Sequence, residues 1–125
     1  MISWFEKNYE VSWGITIIIA LAIFYISTLS FGAGGGTGIG LKSITYHFLA
    51  FFFFALFLLI SIIRGRFVAL GFFVLLIAFL YGVSDEIHQI FVPNRFFDFA
   101  DIFYNTLGIM FAFLIYLISI EYRRK

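Results

Sequence analysis

The sequence predicts an all-α membrane protein: an antiparallel four-helix transmembrane bundle with both termini cytoplasmic. Four apolar runs carry that expectation first, each near the roughly 20 residues a helix needs to cross a bilayer. Scarcity of charge carries it second. Of 125 residues, 63% are hydrophobic and only 12% charged, with a mean hydropathy of +1.07, too little polar surface to cover a water-soluble globule. The third observation is where the cations fall. Lys7, Arg64, Arg66, Arg123, Arg124 and Lys125 all lie on one side of a four-span chain, and only Lys42 and Arg95 on the other. Cytoplasmic loops concentrate lysine and arginine, so that side is expected inside.

The first span is expected over about residues 13–31. In residues 1–12, Lys7 stands against Glu6 and Glu10, so the basic region of a cleaved signal peptide is missing. The apolar stretch is also too long for one. An uncleaved first helix is expected, with Trp4, Tyr9 and Trp13 in an interfacial aromatic belt. The second span is expected over about 44–63, the third over 67–91 and the fourth over 102–120, in a single domain covering 1–125. The third run is apolar only to Val83, so its helix is expected to continue through the polar segment 84–89 towards Pro93. The 20 phenylalanines serve as lipid-facing and interhelical filler.

Composition excludes several chemistries. With no cysteine, disulfides, thiolate metal sites and cysteine nucleophiles are ruled out. A net charge of +1 gives no basic footprint, so no nucleic-acid partner is expected. The glycine-rich stretch 32–40, followed by Lys42 and Ser43, resembles a phosphate loop only loosely. Leu41 separates Gly40 from Lys42 where a Walker A loop has glycine directly before lysine, and the flanks are membrane spans. A flexible connector is expected there.

The chemistry concentrates in residues 84–105. Asp85, Glu86, Asp98 and Asp101, with His88 and Arg95, form an ionisable island between two apolar runs. Such groups are costly at membrane depth and are functional candidates by default. On a continuing helix, Asp85, His88 and Gln89 share one face and Glu86 points about 100° away, towards Gln89 or Ile90. Pro93 stops the helix and Asn94 and Arg95 make a turn. Asp98, Asp101, Asn105 and Gly108 then follow at helical spacing, Asp98 or Asp101 serving as N-cap of the fourth span. His47 lies one turn inside the second span, at nearly the depth of His88.

Asp85, Glu86 and His88 are thus the candidates for acid–base catalysis, since histidine titrates near operating pH. His47, Gln89, Arg95, Asp98, Asp101 and Asn105 are the candidate ligand-binding residues, Arg95 suited to gripping a phosphate or carboxylate. His47, Asp85, His88, Asp101 and Asn105 are expected in one outward-opening cavity. The plainer alternative pairs Arg95 with Asp98 or Asp101, and His88 with Asp85. Two histidines and a carboxylate have donors for a divalent metal, but no H-E-x-x-H or similar signature is present, so neither metal nor cofactor is expected.

The run Ser84-Asp85-Glu86, Gln89, Phe91, Pro93 and Arg95, followed by Asp101, Asn105 and Gly108, resembles the signature of the VanZ-like membrane proteins, S-D-E-x-x-Q-x-F-x-P-x-R and then D-x-x-x-N-x-x-G. His47-Phe48 is similar to the family's D-K-x-x-H-F, with Ser43 and Ile44 where the acid–lysine pair stands. Asn94 replaces the usual glycine before the arginine. The family takes its name from a protein linked to resistance against the glycopeptide teicoplanin. The resemblance implies a cell-envelope role on the extracytoplasmic face, where such antibiotics meet lipid-linked wall precursors. The expected function is binding or shielding of a lipid-linked or wall-related anionic molecule, with membrane lipids as partners. The alternatives are an enzyme acting on a lipid head group and a small oligomeric transporter. The sequence leaves oligomeric state, and catalysis itself, open.

Overall fold

A computed structural model describes residues 1–30 and 40–125. Among these, every regular element is helical. A short α1 (Ile2–Lys7) leads into α2 (Tyr9–Thr28); α3 (Leu41–Ile63), α4 (Gly71–Gln89) and α5 (Phe99–Arg124) complete an antiparallel four-helix bundle. All four long helices are long and apolar enough to cross a membrane.

The helix ends depart from the expected spans by a few residues, and local hydrogen bonds account for it. α2 begins at Tyr9 and not near residue 13: in its first turn Ser12 Oγ reaches back to the Phe5 carbonyl of α1 (2.8 Å), tying the two helices together, and one turn on Thr16 Oγ1 donates to the Ser12 carbonyl (2.8 Å). It stops at Thr28, where Leu29 is extended. The expected end near residue 31, and the glycine-rich stretch apart from Gly40, lie outside the described residues. α3 starts three residues before the expected 44, with Thr45 Oγ1 bonded back to the Leu41 carbonyl. α4 follows a 3₁₀ turn, Val68–Leu70, and ends at Gln89, short of the expected 91; single tightened turns carry the chain on to Pro93. α5 starts at Phe99 because Asp98 caps it, its Oδ1 accepting from the Ala100 N–H at 2.8 Å.

α3 is the central helix. Half of its most apolar window is buried, against 22–28% in the other three. Its closest neighbour is α5. A Cβ added at Gly108 would sit 2.3 Å from the Phe48 carbonyl oxygen and 3.0 Å from the Phe52 nitrogen, so the two backbones touch there. Lipid tails are as apolar as a core, so close packing of this kind, and not expulsion of apolar surface, holds such helices together. Around the contact, Phe51, Ala55, Leu59, Val74, Ala78 and Ala112 are fully buried. Phe72, Phe73, Phe91, Phe96 and Phe99 stay exposed, as lipid-facing side chains would.

α2 rests on the others through polar contacts at three levels. Thr16 Oγ1 meets Ser61 Oγ of α3 at 3.5 Å, Tyr81 of α4 donates to the Ala20 carbonyl at 2.7 Å, and Gln89 of α4 donates to Ser27 Oγ at 3.1 Å. The bundle therefore has two polar ends. One gathers Glu6, Gly65, Tyr116 and Arg123; the other gathers Ser27, His47, the end of α4 and the start of α5.

Candidate functional site

The second of these ends holds the chemistry, and Gln89 is its hub. Its amide nitrogen donates to Ser27 Oγ (3.1 Å) and to Glu86 Oε1 (3.2 Å), with Asp85 Oδ2 at 3.5 Å. Its carbonyl oxygen accepts from Arg95 Nε at 3.2 Å. Glu86 has no exposed surface, and its second oxygen accepts the Asp98 N–H at 3.2 Å. That bond clamps the end of α4 to the cap of α5 across the Pro93 turn.

His47 supplies the α3 wall. Its Nδ1 lies 3.0 Å from Asn105 Oδ1 and its Nε2 3.2 Å from Asp101 Oδ2, both on α5. Ser43, one turn earlier on α3, donates to the other oxygen of Asp101 at 3.4 Å. One side-chain atom from each of His47, Glu86 and Asp101 falls within 4.8 Å of the other two. Three helices thus turn an imidazole and two carboxylates on one point.

Of the residues expected together, His47, Asp85, Glu86, Gln89, Asp101 and Asn105 meet in this cluster, Arg95 bonds to it through Gln89, and Asp98 joins it through its backbone while its side chain caps α5. His88 does not share the cluster's bonds. Its ring lies against Phe24 of α2, centroids 4.6 Å apart, and its buried Nε2 has no hydrogen-bond partner among the described residues. Helix geometry gives the reason. At about 100° per residue, Gln89 projects between Asp85 and Glu86, whereas His88 stands roughly 160° from Glu86. With Glu86 turned towards His47 and Asp101, His88 is turned to the α2 side of the helix, against Phe24. The face of Asp85, His88 and Gln89 expected from spacing is corrected to Asp85, Glu86 and Gln89.

Three contributors went unread in the sequence. Ser27 brings α2 into the site, so all four long helices take part, and its signal was a hydroxyl near the end of the first run, at the depth of the motif. Ser43 steadies Asp101. Tyr46 stacks edge-on to His47, centroids 5.2 Å apart, and connects the cluster to a groove of about 740 Å³ along α3. Among the described residues Ile19, Thr45, Leu49 and Phe53 bound that groove, with Lys42 and Tyr46 at its polar side.

Chemically the cluster offers a buried acid-rich cradle with one imidazole, an arginine at its rim and an apolar channel alongside. No curated protein and no solved structure matches the chain. A family model described as VanZ/LLP1 matches residues 8–120, a stretch that takes in every residue of this cluster and all but the last turn of the bundle. This membrane-spanning chain belongs to the VanZ/LLP1 family.

Proposed function

We propose that the protein binds or shields the head group of a lipid-linked, phosphate-bearing envelope molecule at the extracytoplasmic end of its bundle. One observation carries the reading: an apolar groove lies directly beside a buried polar cluster, with Tyr46 lining the one and stacking on His47 of the other. A lipid-linked molecule has the same two parts. Its chain fits the groove and its head group reaches Arg95, Gln89 and the cluster behind them. Lys42, in the first turn of α3, supplies a second cation at the groove's polar side.

The distribution of cations supports the sidedness. Lys7, Arg64, Arg66, Arg123, Arg124 and Lys125 gather at the end away from His47 and Gln89, which argues for that end as cytoplasmic. A role in glycopeptide resistance is one form this activity takes if the bound molecule is a wall precursor.

The full chain in lipid nanodiscs, titrated with a fluorescent polyprenyl phosphate, tests the reading. Binding should weaken at least tenfold in Arg95→Ala and further in the Arg95→Ala, Lys42→Ala pair. Equal binding by wild type and the double variant would overturn it.

A further inference from the structure

We propose that His47, Glu86 and Asp101 form a divalent metal site, and that the bound ion bridges the cluster to a phosphate oxygen of the head group; the bridging part rests on the reading above. The three ligand atoms come from three helices and lie within 4.8 Å of one another. A tetrahedral site with bonds of about 2.1 Å needs ligand atoms about 3.5 Å apart. The His47 Nε2 to Asp101 Oδ2 pair, at 3.2 Å, is close to that spacing, and Glu86 completes the set by giving up part of its hold on Gln89 or on the Asp98 N–H.

The surroundings of His47 prepare it as a ligand. Nδ1 lies 3.0 Å from Asn105 Oδ1, which fixes the ring so that Nε2 is directed at Asp101, 3.2 Å away. A proton on Nε2 completes the pair with Asp101, and a divalent cation that binds both atoms takes that proton's place. Metal-bound histidines typically hold their other ring nitrogen in this way, fixing tautomer and ring orientation.

A second, independent feature points to a cation. Asp85 is 4% exposed, and among the described residues its Oδ1 has no fully formed hydrogen bond, with the Ser27 hydroxyl the donor close to the carboxylate. Its other oxygen shares the Gln89 amide with Glu86, so the carboxylate belongs to the same cluster. Three carboxylates, Asp85, Glu86 and the half-buried Asp101, thus gather at this end of the bundle with Arg95 as the nearby cation, and buried charge is tolerated only when paired or bound to metal. A dication offsets that excess and turns an acid-rich site into one that accepts a phosphate. The donors, one imidazole nitrogen and carboxylate oxygens, suit Zn²⁺ or Mn²⁺. With three protein ligands the fourth position stays open for the phosphate oxygen. The Asn105 amide nitrogen faces Gly82 of α4 and is without a hydrogen-bond partner among the described residues.

The test uses the purified full chain in detergent, stripped with chelator and then dialysed against Zn²⁺ or Mn²⁺, with bound metal counted by mass spectrometry. Wild type should take up one equivalent. Asp101→Asn and Glu86→Gln should each lose at least about 100-fold in affinity, and Asn105→Ala about tenfold. Co²⁺ loaded into wild type, where no variant can misfold, should give the visible absorption of a nitrogen–oxygen site. Arg95→Ala should keep its metal while losing polyprenyl phosphate, which separates failure of this inference from failure of the head-group reading. Wild type without stoichiometric metal, either carboxamide variant retaining it, or chelated protein binding polyprenyl phosphate as tightly as the loaded form would each overturn the inference.

Discussion

Arg123 grips Glu6 with both terminal nitrogens, fastening the last turn of the chain to its first. One bond measures 3.0 Å, from Nη2 to Oε1, and Nη1 donates to Oε2. Tyr116 donates to Glu6 Oε1 as well, at 2.8 Å, and in turn accepts the Gly65 N–H at 3.0 Å. The clasp also explains the Arg64–Gly65 corner, where two successive residues adopt left-handed backbone (φ 52° and 67°). A Cβ at Gly65 would come within 3.4 Å of the Glu6 carboxylate.

Removing one half of this clasp strands a nearly buried carboxylate. Arg123→Ala is expected to cost about 2–3 kcal/mol in reversible unfolding from detergent micelles. Glu6→Gln should cost less, since an amide oxygen still accepts from Tyr116. In the double variant the losses should fall short of their sum, because the second change removes a partner already lost. Strictly additive losses would show that the two side chains do not interact.

Gly108 offers a sharper contrast. Gly108→Ala drives a methyl group into the Phe48 carbonyl and should cost roughly 3 kcal/mol, the upper range for overpacking, because backbone cannot step aside. It should also spread α3 from α5 one turn below the His47–Asn105 bond, weakening ligand binding. Gly14→Ala, with nothing within 4 Å of the new methyl, should leave stability unchanged or raise it by up to about 1 kcal/mol. Comparable losses at both positions would contradict the α3–α5 contact.

The two histidines should separate cleanly. His47→Ala is expected to abolish metal uptake and to weaken polyprenyl phosphate binding at least tenfold, whereas His88→Ala should change either less than about twofold, since its ring meets Phe24 and not the cluster. Equal effects would return His88 to the site.

Sidedness is open to single-cysteine labelling, which the cysteine-free chain makes straightforward. Phe96→Cys, 72% exposed beside the polar cluster, should react with a membrane-impermeant maleimide on intact cells. Lys125→Cys should react only after permeabilisation. The reverse pattern would invert the proposed orientation.

The sequence made the middles of the four spans legible, because bilayer thickness sets their length and lipid admits few charges between their ends. It was less informative about where helices start. Ser12, Thr45 and Asp98 decide those points through single hydrogen bonds that hydropathy does not register. α1 was hidden for a different reason: a six-residue helix has no periodicity to read, and Glu6 looked like solvated leader until its partner, 117 residues away, came beside it. At the site, residue types and depth were readable, but the choice between Glu86 and His88 as the inward side chain was not. That choice depends on how α4 is rotated against α3 and α5, which spacing along one helix leaves undetermined.

The three-level seam along α2 bears on the order in which the bundle comes together. α3 and α5 meet backbone to backbone, and α4 is locked to α5 by the Glu86–Asp98 bond, so these three hold one another directly. α2 adds few buried apolar groups and attaches through Thr16, the Ala20 carbonyl and Ser27, rungs spaced along its length. Helices inserted one after another associate only once they are in the bilayer. The helix that enters early in the chain therefore docks onto partners that arrive after it, and its rungs of hydroxyl and carbonyl groups set the height at which it seats.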